Sequence, residues 1–281
     1  MLTTSTAPLT LKAHGVEIPA LGFGTSPMTG SMTADEVVTA LKSGYRHIDT
    51  ARKYGTERTV GEAMLQSGVP RKDIFLTTKV SHEYLRADDF AKSVDDSLAA
   101  LQTDYVDLLM VHWPNPEIPL SETMPALAKA KRQGKARNVG VANFNIALLD
   151  QAIKLCPERL VCLQAECHPY LDQTRLLNAV RSRGMAFIAY CPLGRGQLFS
   201  DPVLTDIAQA RGKSIAQIAL RWLMQQGLGA IPRSSNPQRI ADNFKVFDFT
   251  LSDAEMKQIS ALKRANGRIA NPSGRVSGGW D

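Results

Sequence analysis

The sequence predicts an α/β fold, a (β/α)8 barrel of the TIM type that takes up residues 1–281 as one domain. Three observations carry this expectation. Eight short apolar runs, at 20–24, 45–48, 74–79, 106–111, 136–141, 161–165, 186–190 and 229–231, are continuous rather than alternating. Strands buried on both faces of a parallel sheet read this way. Between them lie segments with apolar residues at helical spacing, joined by short links, which predicts right-handed βαβ crossovers. The first apolar run ends in Gly22-Phe23-Gly24-Thr25-Ser26-Pro27, which lacks the third glycine and the helix start of an open dinucleotide-binding sheet. A closed barrel is the better fit.

The elements follow in order. Residues 9–12 and 16–18, turning around His14-Gly15, predict a β-hairpin ahead of the barrel. The pattern over 33–42 predicts a helix with Thr33 as N-cap and Glu36 three residues on, the signature of a capping box. Further helices are expected over 57–66, 87–101, 121–133, 146–155, 173–182, 202–210 and 214–225, then after Pro237 and from Ser252. Gly44, Gly68, Gly134, Gly184 and Gly212 stand just past helix ends, where a left-handed residue is commonly needed. The last residues, from Asn271, are rich in Gly and Ser and predict an accessory tail.

Composition narrows the functional classes. With 281 residues, 44% hydrophobic and 21% charged, the chain has enough apolar material for one barrel core. No apolar run approaches the ~20 residues of a membrane span. The N-terminal stretch lacks a basic start followed by an apolar block, so no secretory signal is expected. Four Cys without a C-x-x-C pair fit reduced, inert thiols in a cytoplasmic protein, and the scattered His residues predict no metal site. The net charge of +6 is spread along the chain rather than run together, so nucleic acid is not the expected partner. It suits an anionic small molecule drawn into a cleft.

The chemistry is expected at one rim. In a (β/α)8 barrel the C-terminal strand ends share one face, and polar residues there read as functional. Here the apolar runs end at Asp49, Lys79, His112-Trp113, Asn143, Gln164 with Glu166 beyond, and Tyr190. Tyr54 follows Asp49 on a polar, Gly-containing loop. A free Tyr, with a pKa of about 10, is a poor proton donor at neutral pH; a neighbouring Lys79 ammonium is expected to lower it. Asp49 can pair with Lys79 and reduce the cost of burying it. His112 can orient a carbonyl oxygen. Such a set stabilises and protonates a developing alkoxide and leaves the hydride to a cofactor.

The stretches GYRHIDTARKYGTE, LTTKV, LLMVHWP, RNVGVANF, LQAECHPYL, AYCPLGRG and IPRSSNPQRIADN occur in this order. Together they resemble the successive motifs of the aldo-keto reductase superfamily, most closely its bacterial 2,5-diketo-D-gluconate reductase and methylglyoxal-type members. The resemblance implies Tyr54 as proton donor, with Asp49, Lys79 and His112 completing a catalytic tetrad. It implies NADPH as cofactor, with Asn143 and Gln164 at the nicotinamide carboxamide, Tyr190 stacked on the ring and Cys191, Pro192, Leu193 and Gly194 passing the pyrophosphate. Gly24 and Thr25 join the cofactor contacts. Arg233, Ser234 and Arg239 clamp the 2′-phosphate, with Asp242 and Asn243 at the adenine. Ser26, Tyr54, His112 and Trp113 face the substrate, a small carbonyl compound, and a monomer is expected.

The clamp has a rationale of its own, since two Arg and a Ser at a Pro-started helix N-terminus suit a phosphate. Departures from the family pattern are Gly55-Thr56 after Tyr54, Ala142 for Ser, Arg233 for Lys, Cys191 for Ser and Ser26 for an aromatic residue. The alternative reading is a cofactor-sensing regulatory subunit on the same scaffold. A barrel lyase or phosphate-binding enzyme without nicotinamide is a further one.

Overall fold

The computed structural model describes residues 9–26, 32–272 and 274–281. Expectations that fall on residues 1–8, on Pro27 and on Ser273 lie outside the described residues. A hairpin of β1 (Thr10–Ala13) and β2 (Val16–Pro19) precedes eight parallel strands. These are β3 (Gly22–Gly24), β4 (His47–Asp49), β5 (Phe75–Val80), β6 (Val106–Val111), β7 (Ala136–Ala142), β8 (Leu160–Glu166), β9 (Ala186–Tyr190) and β10 (Gly229–Ala230). They pair in sequence order, and a bridge between Leu21 and Ala230 joins the last strand to the first. Ala230 N–H donates to Ala20 O at 2.7 Å and Gly24 N–H to Pro232 O at 2.9 Å, which closes the barrel seam.

The core has two parts, because each strand must bury both faces. Inside the barrel Leu108, Met110, Cys162 and Ile188 meet Leu11, Ala13 and Ile18 of the hairpin, which thereby plugs the N-terminal end. Outside, Ile48, Leu76, Leu109, Val141 and Leu163 pack under the helices. These include α1 (Ala34–Lys42), α2 (Glu57–Ser67), α3 (Ala87–Leu101), α4 (Leu120–Arg132), α5 (Ile146–Leu155), α6 (Thr174–Ser182), α7 (Pro202–Arg211) and α8 (Ile215–Gln225). Two accessory helices follow, α9 (Pro237–Phe244) and α10 (Asp253–Ser260). All five glycines expected past helix ends have positive φ. None of the helices among the described residues is long and apolar enough to cross a membrane.

The expected capping box at the start of α1 is not formed. Thr33 has the extended backbone of an N-cap, with φ −98° and ψ 156°, but its side chain caps nothing. Glu36 is buried instead, and its carboxylate faces Arg233 beyond β10. A long-range cation outcompetes the local cap for a carboxylate held out of water. Where no such rival exists the box does form: Ser214 with Gln217 starts α8, and Ser252 with Glu255 starts α10.

The second strand is also shorter than the apolar run predicts, beginning at His47 rather than Tyr45. Tyr45 serves the outer layer: its ring meets Phe23 at 6.0 Å and Phe244 at 5.0 Å, and its hydroxyl donates to Ile240 O. Phe23 is fully buried there and belongs to the core.

Candidate active site

The C-terminal ends of β4 and β5 place two opposite charges side by side in the barrel. Lys79 is fully buried, and its Nζ donates to Asp49 Oδ1 at 2.5 Å and to Thr50 O at 2.9 Å. The second Asp49 oxygen accepts from Gln164 Nε2 at 2.8 Å, so both carboxylate oxygens are occupied. Thr25, at the end of the first barrel strand, donates its backbone N–H and its hydroxyl to Asp49 O. A buried pair of ions is tolerated when its remaining hydrogen-bonding capacity is satisfied in this way.

Above the pair sits Tyr54, on a single 3-10 turn (Arg52–Tyr54) that Gly55 ends in the left-handed conformation, with φ 67°. Lys79 Nζ lies 5.3 Å from the centre of its ring. His112 follows β6, and the two rings meet edge to face at 5.4 Å and 84°. Asn143 Nδ2 donates to His112 O at 2.9 Å, and Tyr190 OH donates to Asn143 Oδ1 at 2.6 Å. Asn143 itself has φ 64°, a conformation Asn tolerates better than most residues. Seven strand ends, β3 to β9, are thus wired into one constellation.

Electrostatics set the protonation states. Burial disfavours the Lys79 ammonium, but Asp49 and Tyr54 outweigh it and raise its pKa, so the amine stays charged. Burial and then the Lys79 charge hold the His112 pKa well below the usual imidazole range, leaving a neutral ring. Tyr54 departs from expectation. Burial raises its pKa, and although Lys79 pulls the other way, desolvation wins and the net direction is upward. The phenol is held protonated and can act as a donor; Lys79 lessens the cost of the phenolate without making it the resting form.

The other residues expected at the site divide by position. Ser26 is half-buried just beyond Thr25, and Cys191 to Gly194 leave β9 with Cys191 at φ 49° and Gly194 at φ 57°. Cys156 and Cys191 are half-buried, while Cys162 and Cys167 are buried. Burial raises the pKa of all four thiols, Cys167 to about 12, so none is held as a thiolate. Arg233 and Ser234 lie between β10 and the start of α9, which carries Arg239 in its first turn. Asn236 caps that helix through Arg239 N–H, and Ser234 Oγ accepts from Asn236 N–H. Arg233 Nε is buried without a partner. That donor set fits a phosphate. Asp242 accepts from Gln238 and Lys245 on its own helix surface, whereas Asn243 is buried.

The C-terminal segment is the part the sequence left open. Its path is fixed by Glu166, at the end of β8, whose carboxylate accepts from Ile269 N–H at 2.7 Å and Ala270 N–H at 2.6 Å. His168 Nε2 lies 2.8 Å from the same carboxylate, and both side chains are fully buried. At Gly267 a Cβ would stand 1.9 Å from Tyr170 O, so only glycine lets the chain pass there. Further on, Asn145 Nδ2 donates to Ser277 O and Gly279 O. Trp280 then meets Trp113 edge to face at 6.1 Å, under the Arg268 guanidinium at 3.8 Å from its ring. Sequence reasoning found Trp113 but had no signal for Arg268, nor for Glu166 as an anchor.

Burial would raise the Glu166 carboxyl, but His168 and the two N–H donors outweigh it and hold its pKa below the ordinary range. The stabilisation is complete above the ordinary Glu pKa of about 4.3 and is lost as pH falls through the depressed folded value. Glu166→Gln is expected to release the segment at neutral pH. Limited proteolysis should then cut after residue 264 much faster than in the wild type, each lost charged hydrogen bond being worth about 1.5–3 kcal/mol. Equal cleavage rates would show that the tail is held elsewhere.

The parallel barrel thus carries a protonated phenol and a neutral imidazole above a buried carboxylate–ammonium pair, an arrangement able to hold and give up a proton. A model of the aldo/keto reductase family matches residues 20–264. The chain belongs to that family; it is an oxidoreductase whose reaction class is carbonyl reduction. Morphine 6-dehydrogenase of Pseudomonas putida is 41% identical over 273 residues, covering 91% of this chain and 91% of that protein. Methylglyoxal reductase DkgB of Escherichia coli O157:H7 is 37% identical, over 94% of this chain and 99% of the relative. Among solved structures, a candidate 2,5-diketo-D-gluconic acid reductase B superposes with a TM-score of 0.93 at 43% identity, over 98% of each chain. The Bombyx mori aldo-keto reductase, in complex with NADP, gives 0.85 at 34% identity, over 91% of this chain and 93% of that one.

Proposed function

We propose that this reductase converts small aldehydes or ketones to alcohols with NADPH, and that Tyr54 is the proton donor. The observation that carries the reading is the fully buried Lys79–Asp49 pair directly beneath Tyr54. A buried charged pair is expensive, and its placement under a protonated phenol at the strand ends answers a need of carbonyl reduction. When bound, NADPH supplies the hydride. Arg233, Ser234 and Arg239 would hold its 2′-phosphate, Asn143 and Gln164 its carboxamide, and Tyr190 the face of its ring.

The chain's own residues then handle the oxygen. His112, neutral, donates a hydrogen bond that orients the substrate carbonyl. Tyr54 O–H points its proton at the same oxygen and gives it up as negative charge develops there. The Lys79 ammonium, fixed by Asp49, stabilises the phenolate that this leaves behind. Trp113 and Trp280, in contact across the rim, and Ser26 would form apolar and small walls for the substrate. Small carbonyl compounds fit this reading, as does the likeness to relatives named for glyoxal and methylglyoxal.

The test is loss of NADPH absorbance with a panel containing methylglyoxal, an aromatic aldehyde and a diketo-sugar acid, measured across pH. Turnover of at least one member is expected. With His112 held neutral, the rate should show no loss of the imidazole's neutral form between about pH 6 and 7. Dinucleotide binding without turnover of any carbonyl would favour the sensor-subunit reading instead.

A further inference from the structure

We propose that Glu36 sets the dinucleotide preference of this enzyme by opposing a 2′-phosphate at Arg233, so that NADH is accepted beside NADPH. The inference rests on the reading that Arg233, Ser234 and Arg239 receive the adenosine 2′ end of the cofactor.

Glu36 Oε2 lies 3.5 Å from Arg233 Nη2, with side chains only 9% and 12% exposed. At that separation the two attract but do not hydrogen-bond. Glu36 Oε2 has no hydrogen-bond partner, and neither has Arg233 Nε. The carboxylate does no local work either, since the capping box it could form with Thr33 is absent. Two buried, charged and incompletely satisfied groups facing each other call for a third group between or beside them. Dinucleotide sites use an acidic side chain to accept from the ribose 2′-hydroxyl and an arginine to meet a 2′-phosphate. Here both kinds stand at one place. A 2′-hydroxyl can donate to the free Glu36 oxygen while leaving the ion pair in place. A 2′-phosphate has no proton to give, must draw Arg233 toward itself and meets the carboxylate's negative charge at short range.

The experiment compares NADP+ and NAD+ binding to the intact enzyme by quenching of tryptophan fluorescence, for wild type and Glu36→Gln. Wild type is expected to bind the two within about tenfold of each other, and the variant to tighten on NADP+ by about tenfold with NAD+ unchanged or weaker. In turnover the KM for NADPH should fall with kcat unmoved, a split that loss of mere support would not produce. Should Glu36→Gln fail to fold, Glu36→Ala carries the same expectation. An unmoved NADP+/NAD+ ratio, or parallel weakening of both, would overturn the proposal while leaving the cofactor reading intact. Failure of wild type to bind either dinucleotide would overturn both.

Discussion

Tyr54→Phe is expected to lower kcat by roughly 10²- to 10⁴-fold, the range general-acid catalysis spans, while dissociation constants for NADPH stay nearly unchanged. The geometry isolates the effect. Phenylalanine keeps the ring that meets His112 edge to face at 5.4 Å and lies over Lys79, so packing at the rim is preserved. Only the hydroxyl is lost. Because burial keeps that hydroxyl protonated, its removal takes away a donor rather than a negative charge, and Lys79 remains neutralised by Asp49. An interaction made only as the alkoxide forms should lower kcat and kcat/KM together. Residual turnover within a few-fold of wild type would place the acid elsewhere, with His112 as the remaining candidate. Stopped-flow fluorescence of NADPH binding, run beside the steady-state assay, separates a lost proton from a lost cofactor.

Much of this was legible in the sequence because burial on both faces leaves an unmistakable mark. Runs such as 106–111 and 161–165 have no alternation, and β6 and β8 are buried along their whole length. Polar residues that interrupt such runs at their C-terminal ends stand out for the same reason, which is how Asp49, Lys79, Asn143 and Gln164 were found together. What failed were inferences from short-range patterns. Thr33 and Glu36 carry the local spacing of a cap, but the rival partner, Arg233, comes from the far end of the chain, and local spacing is blind to it. The direction of the Tyr54 shift failed similarly: neighbours can be listed from motifs, whereas the depth of burial that outweighs Lys79 is a property of the closed barrel. The Gly- and Ser-rich tail has no periodicity at all. Its course over Trp113 depends on three backbone-accepting or backbone-donating side chains, Glu166, Asn145 and Asp281, whose partners no pattern announces.

The Asp49–Lys79 pair yields the largest stability effect. Asp49→Asn is expected to cost about 3–5 kcal/mol, because it leaves a fully buried ammonium without its counter-charge and sets an amide NH2 against either Lys79 Nζ or Gln164 Nε2. In a chain of this size that lowers the melting temperature by about 10 °C. Lys79→Met should cost a similar amount, since Asp49 would keep the Gln164 amide as its side-chain partner and lose its counter-charge. Combining Asp49→Asn with Lys79→Met removes both charges, and the double variant should recover most of the loss, as apolar or neutral replacements of buried pairs commonly do. Activity should not recover, because no ammonium remains to stabilise the Tyr54 phenolate. Stability and catalysis are thereby separated at one pair of residues. The sign of the pH dependence follows from the raised Lys79 pKa: its contribution is complete below the unfolded value of about 10.4 and is lost as pH rises through the folded one. Wild type and both single variants should therefore differ most at neutral pH and converge in strong alkali. Urea unfolding at the two pH values measures this directly. Single variants within about 1 kcal/mol of wild type at neutral pH would mean that the pair is solvated and that its role beneath Tyr54 has been misjudged.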